Sequence, residues 1–430
     1  MPLLKDFRTA RRLARNLLRS RRTRRELARL LPTIEQPAPD SVKIVVYFAD
    51  TRVNLYQIRQ WYAPLAELAK THPVAIISRS PGTALTLLDE APVPTVYKRR
   101  VVDLEHFVQE QQPRIVLYVN QNAKNFQMFR YGRMWHVFIN HGESDKMYMT
   151  TNQFKAYDYS LIAGDAARDR LARKLWDFDL DRRAISIGRP QADHFAGDLP
   201  YPADDRTVVL YAPTWEGDRD SAAYGSIATH GVALVNALLA SSHHRVIYRP
   251  HPRSGVGDAE YGAANRAIIA AIAAANAADP AAHHVFDDGN ELGWQLAGAD
   301  VAITDISAMV YDRLATGKPL IVTRPVSAHA EIDETGYLGS SEWLTAESAG
   351  DIVAIADRVQ HSEEAQQNLH FWVERHFGDT TQGAATARFH AAVEHLVDEW
   401  ERHALLHADD VDSAEDPFGD DDDEDSIGDD

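Results

Sequence analysis

The chain has 430 residues, 45% of them hydrophobic and 25% charged, enough for two globular domains at roughly 150 residues each. It contains no cysteine, which excludes a disulfide framework, a thiolate metal site and a cysteine nucleophile, and points to a cytoplasmic setting. The net charge of −18 is unevenly spread: Met1–Arg29 carries +9, Asp409–Asp430 carries −13, and the remaining body is moderately acidic, which argues against nucleic acid as a partner.

Residues 1–31 read as a basic amphipathic helical arm. Leu3, Phe7, Ala10, Ala14 and Leu17 recur at helical spacing while arginines fill the other positions. Such a helix suits an anionic membrane surface, with peripheral attachment to the inner face of the cell membrane. Packing on the body or a second subunit, as in a homo-oligomer, and attraction to a polyanion are the other readings. The arm ends at Pro32, Pro37 and Pro39, and no run is long and apolar enough to span a bilayer.

Short β-rich runs separated by helix-length stretches fill 42–196: Lys43–Phe48, Val74–Ser78, Thr95–Tyr97, Arg114–Val119, His136–Asn140, Tyr159–Ala163 and Ala184–Gly188. Continuous apolar strands alternating with helices predict a parallel sheet covered on both faces. After the turn-rich segment G-D-L-P-Y-P-A-D-D-R, the alternation restarts over 205–406. Its strands are Thr207–Ala212, Arg245–Arg249, His284–Phe286, Val301–Asp305 and Leu320–Thr323; Ala259–Ala278 reads as an alanine-rich helix, and closing helices fill Glu347–Leu406. The fold class is therefore α/β, with two Rossmann-like doubly wound domains facing a cleft. The acidic stretch 409–430 reads as a disordered tail.

Ligands of such sheets bind outside the carboxyl ends of the strands. His141, within N-H-G-E-S-D-K at a predicted strand end, is placed to act as a general base; a histidine merely satisfied in the turn is the alternative. Y-R-P-H-P-R puts Arg249, His251 and Arg253 on a turn stiffened by prolines, with the composition of an anion site, or of a solvated surface turn. In T-D-I-S-A-M-V-Y-D, Asp305 or Ser307 can cap a helix whose amino end faces the cleft. Y-A-P-T-W-E-G-D places Thr214 and Trp215 near the same cleft, the tryptophan either in the core or stacked on a base. The histidine pairs His243–His244 and His283–His284 lack metal-ligand spacing, and nucleotide-loop and hydrolase-elbow motifs are missing, so no metal or cofactor is expected.

In this order, N-H-G, Y-A-P-T-W, R-P-H-P and T-D-x-S with an aspartate five residues after the serine resemble the CDP-glycerol glycerophosphotransferase family of teichoic acid synthesis. The resemblance runs from Asn140 to the closing helices near Phe377 and includes D-D-G-N-E-L. It implies a glycosyltransferase-like (GT-B-like) fold. It also implies transfer of glycerol phosphate, or a related alditol phosphate, from a CDP-linked donor to a hydroxyl of a lipid-linked or glycan polymer acceptor, with release of CMP. By that resemblance His141 matches the base, Arg249 and His251 the phosphate-binding pair, and Thr304, Asp305, Ser307 and Asp312 the turn that binds the diphosphate and glycerol; Thr214 joins the donor-side set. The chain departs from the family pattern at Glu216, at Ala308 and in G-R-P-Q-A-D, where Gln191 replaces the usual arginine. A nucleotide-sugar glycosyltransferase of the same fold and a catalytically silent membrane-associated scaffold are the competing readings.

Overall fold

The computed structural model describes residues 20–143, 150–217, 219–289 and 292–408. Most of the basic arm and the whole acidic tail lie outside these residues. Residues 20–30 are helical, and Leu27 there is buried, so the described end of the arm rests on the protein.

The first sheet contains β1 (Ile44–Phe48), β2 (Val74–Ser78), β3 (Thr95–Tyr97), β4 (Ile115–Tyr118), β5 (Trp135–Phe138), β6 (Tyr159–Ile162) and β7 (Ala184–Ser186). Its order is β3-β2-β1-β4-β5-β6-β7, and every pairing is parallel. Period-two geometry explains why these strands are apolar throughout. Ile44, Val46 and Phe48 join the core on one face, with Trp61 and Leu117. Val45 and Tyr47 join the core on the other, with Tyr118 and Phe138.

The second sheet contains β8 (Thr207–Ala212), β9 (His244–Tyr248), β10 (Val285–Phe286), β11 (Val301–Thr304), β12 (Leu320–Thr323) and β13 (Glu342–Leu344). Its order, β10-β9-β8-β11-β12-β13, is again all parallel. Val209 and Tyr211 face one core, and Val208, Leu210 and Ala212 the other. The strand order reverses between β1 and β4 in the first sheet and between β8 and β11 in the second. Ligands bind at such reversals.

Every predicted strand is present, most differing from expectation by a residue or two at one or both ends. β13 is an addition, a three-residue edge strand that pairs only with β12 and carries too little pattern to be read. The helix Ala259–Ala278 has the predicted limits. The closing helices depart from expectation in their packing. Ala384–Leu406 leaves the second sheet and returns to the first, where Phe389, Ala392, Val393 and Leu396 complete the core around Trp61. Trp135 Nε1 donates to Leu396 O (3.1 Å) and Trp400 Nε1 to Arg133 O (2.7 Å), which fixes that crossing. Among the described residues no helix is long and apolar enough to cross a membrane.

Candidate functional site

His141 leaves β5 through a left-handed residue. Asn140 has φ +54°, a conformation its short amide tolerates better than most side chains. The turn is pinned at three points: Trp61 Nε1 donates to Asn140 O, the His141 amide donates to Asn140 Oδ1 (2.9 Å), and Asn140 Nδ2 donates to Gly142 O. The chain reversal swings the imidazole back over β4. There Nδ1–H donates to Val119 O at 3.0 Å, and Tyr56 meets the ring edge-on at 5.8 Å. Because a carbonyl can only accept, the ring proton sits on Nδ1 and the lone pair on Nε2. Burial pushes the imidazole pKa down to about 4, with the Val119 carbonyl pulling up and the Arg189 charge pushing down. At neutral pH this ring is an uncharged proton acceptor.

The turn after β9 sets its histidine in the opposite sense. The backbone amides of Arg249 and His251 donate to Tyr211 O (2.9 Å) and Pro213 O (3.1 Å), so the R-P-H-P segment extends beside the β8 exit. The Arg253 amide then donates to His251 Nδ1 at 3.1 Å. Nδ1 is therefore an acceptor, and the proton of the neutral ring lies on Nε2. Arg249 is not a solvated surface cation: it pairs with Asp287, whose Oδ2 also accepts from Gln295 Nε2 (2.5 Å), and it donates to Gly289 O at 3.1 Å. Arg253 lies over the Trp215 ring at 3.7 Å, and the ring is half-buried at the cleft loop, not in the core.

Glu216 accounts for one departure from the family pattern. Its carboxylate accepts from the amides of Gly255 (2.9 Å), Gly257 (2.8 Å) and Asp258 (3.1 Å), closing the loop that follows His251. Burial raises its pKa, but these amides outweigh that and hold it below the usual glutamate value. A basic residue there would face three donors.

Asp305 is fully buried at the β8/β11 reversal and turns inward. Oδ2 accepts from the amides of Thr214 (2.7 Å) and Ser226 (3.1 Å), and Oδ1 accepts from Thr323 Oγ1 (2.5 Å). Burial pushes its pKa up to about 6 against the pull of those donors. Asp305 thus ties together the exits of β8 and β12 and does not itself face the cleft. The helix Ala308–Leu314 is capped by Ser307, whose Oγ accepts from the Met309 amide (3.2 Å); of the two capping residues considered, Ser307 fills the role. Thr304 is buried, and among the described residues its hydroxyl has no partner. Thr214 stands half-buried at the β8 exit, its carbonyl accepting from Tyr261 OH (2.6 Å).

Asp312 is brought across to the first domain, where it pairs with Arg189, a residue beyond β7 that is 5% exposed. Burial pushes the Asp312 carboxyl up against the pull of that guanidinium. Arg189, Gln60, Asp287 and Ser226 were not among the predicted site residues. The signal for Arg189 lay in G-R-P-Q-A-D, where an arginine at a strand end sits between Gly188 (φ +72°) and a proline. Among the described residues no cluster of three or more His, Asp or Glu could hold a metal ion.

The family model for CDP-glycerol:poly(glycerophosphate) glycerophosphotransferases matches residues 140–388, more than half of the chain, and spans both histidine turns and both donor-side loops. The chain belongs to this family. Membership makes it a CDP-glycerol glycerophosphotransferase-like enzyme of the teichoic acid type, and the solved structures bear out the fold. The wall teichoic acid polymerase TagF aligns with TM-score 0.53 at 14% identity, covering 93% of this chain and 98% of that one. A putative UDP-N-acetylglucosamine 2-epimerase from Listeria monocytogenes aligns with TM-score 0.55 at 14% identity, covering 84% of this chain and 97% of that one. No curated protein sequence matches the chain. The likeness to these structures therefore shows the fold alone, and the glycerophosphotransferase assignment rests on the sequence match across the cleft loops.

Proposed function

We propose that this glycerophosphotransferase moves glycerol phosphate, or a related alditol phosphate, from a CDP-linked donor to a hydroxyl of a lipid-linked or glycan acceptor and releases CMP. The observation that carries the reading is the opposed setting of its two histidines: His141 offers a lone pair on Nε2, and His251 offers a proton on Nε2. Nε2 of His141 accepts the proton of the acceptor hydroxyl as its oxygen bonds to the glycerol-linked phosphorus. The bond from that phosphorus to the CMP oxygen breaks, and its electron pair leaves with CMP. His251 Nε2–H and Arg249 stabilise the charge that develops there, while Thr214 and Ser307 border the donor loops held by Asp305. Phosphoryl transfer needs chiefly alignment and charge stabilisation, which these groups supply without covalent participation.

The basic arm places this chemistry. In this reading it binds an anionic membrane surface facing the cytoplasm, where a lipid-linked acceptor would be presented. The direct experiment is CMP release from CDP-glycerol, with CDP-ribitol and UDP-sugars in parallel, by wild type, His141→Ala and His251→Ala in the presence of a membrane extract. CMP release that both substitutions abolish supports the proposal and identifies the alditol. Release of UDP alone moves the protein to sugar transfer, and CMP release indifferent to both histidines refutes the mechanism.

A further inference from the structure

Arg189 has no part in the chemistry above, yet its surroundings are those of a ligand-binding group. It stands between the two domains, with Nη2 donating both to Gln60 Oε1 (3.1 Å) and to the Asp312 carboxylate. Its Nε is buried and has no partner among the described residues. The guanidinium lies against the residue that follows His141: a Cβ built on Gly142 would be 3.9 Å from Nη1 and 4.0 Å from Nη2. Asn140, Gly142 and Arg189 line a common pocket.

A buried guanidinium with an unspent N–H is costly unless an anion completes its hydrogen bonding. Gln60 and Asp312 both bond Nη2, so among the described residues Nε still lacks an acceptor. We propose that Arg189 is the first domain's ligand for the glycerol-linked phosphate of the CDP-linked donor, with Asp312 as its positioning residue. The inference rests on the donor assignment above. Attacking and leaving oxygens lie in line through the phosphorus, so groups beside the base meet the oxygens that carry the spreading charge. Arg249 and His251 serve the leaving side from the second domain; Arg189 serves the attacking side from the first. A planar fork suits a phosphate better than a point charge does. Because Asp312 belongs to the second domain, the fork is held in place only while the two domains are together.

The test compares binding of CDP-glycerol and CMP to the full chain by calorimetry, in wild type, Arg189→Gln and Arg189→Lys. CMP lacks the second phosphate. Arg189→Gln is expected to weaken CDP-glycerol by about 10- to 100-fold and CMP by less than about twofold, with Arg189→Lys between wild type and Gln. Equal losses for both nucleotides, the signature of a purely structural interdomain contact, would overturn the inference, as would an unchanged CDP-glycerol affinity. Wild type that binds CDP-glycerol no better than CMP sinks the donor assignment and the inference with it; wild type that prefers CDP-glycerol while Arg189→Gln keeps the preference sinks the inference alone. Should Arg189→Gln fail to melt cooperatively, Arg189→Lys decides, since it keeps the charge beside Asp312 and loses only the fork.

Discussion

Asp305 makes a prediction that separates its inward role from that of a substrate ligand. Its pKa of about 6, against 3.8 in its ordinary state, means that the folded protein holds this proton more tightly than the unfolded chain does. Between those two values the native state binds more protons, so stability falls as pH rises through the window and is fully lowered above about 6. Roughly two pKa units at 1.36 kcal/mol each give about 3 kcal/mol from this one group. Asp305→Asn resembles the protonated acid. Its carbonyl can accept from the Thr214 and Ser226 amides, and its NH2 can donate to a Thr323 hydroxyl that turns round to accept. This variant should be at least as stable as wild type near neutrality. Asp305→Ala instead strands two amides and a hydroxyl, at about 1–3 kcal/mol each, for a loss of about 3–9 kcal/mol. Urea unfolding midpoints from about pH 4 to pH 7 measure all three proteins. A wild-type minus Asp305→Asn difference that stays flat across this range, or an asparagine variant as unstable as the alanine one, refutes the reasoning.

Other predictions concern the loops and the arm. With the His141 pKa near 4 and the neutral ring required, kcat/KM should stay level on acidification until it falls through about pH 4, and a limb near the ordinary histidine value of about 6.5 would show that the ring is not buried against Val119. His141→Ala should lower kcat by about 10²- to 10⁴-fold. Glu216→Ala releases the amides of Gly255, Gly257 and Asp258 and should raise KM for the CDP-linked donor several-fold with a smaller change in kcat, whereas a basic residue at 216 should be no better than alanine. Gly255→Ala should be more damaging still, since the residue has φ +76° and a Cβ there would meet Gly262 Cα at 2.4 Å; thermal melting reads the loss. A chain starting at Ser41 should sediment with anionic vesicles less than the full chain does, and equal sedimentation would remove the arm from membrane binding.

The fold was legible because both sheets are parallel and covered on two faces, which forces near-continuous apolar strands such as Ile44–Phe48 and Thr207–Ala212. The missed strand, Glu342–Leu344, is short, lies at an edge and shares its composition with loops. The destination of Ala384–Leu406 was illegible for a different reason. An amphipathic helix states which face it buries but not against what, and contacts such as that of Phe389 with Trp61 (ring centroids 5.2 Å apart) assign it to the first core. The same limit governs the site. The turns carrying His141 and His251 could be placed because strand ends and prolines mark them, but hydrogen-bond partners come from elements distant in sequence. Val119 sets the His141 tautomer, and Thr214, Ser226 and Thr323 claim Asp305. Residue type made Asp305 a candidate helix cap and the family resemblance a member of the donor-binding turn; the structure shows its carboxylate held by Thr214, Ser226 and Thr323.

The two histidine settings also decide how the proposed reaction must handle its proton. A ring with pKa near 4 cannot keep a proton at neutral pH in the free enzyme, so His141 is a weak base at rest. Phosphoryl transfer tolerates this, because bond breaking to the leaving group runs ahead of nucleophile deprotonation in a loose transition state. The proton moves late, when phosphate charge has built up beside the ring and raises its proton affinity. On the other side, CMP leaves as a phosphate monoester whose second pKa is about 6, so it needs a hydrogen bond more than a proton. His251, whose Nδ1 accepts from the Arg253 amide, meets that need by donating a hydrogen bond from Nε2. Acid–base symmetry between the two rings is therefore not expected. Removal of His141 should abolish transfer to weakly acidic hydroxyls most severely, while removal of His251 should penalise every acceptor alike.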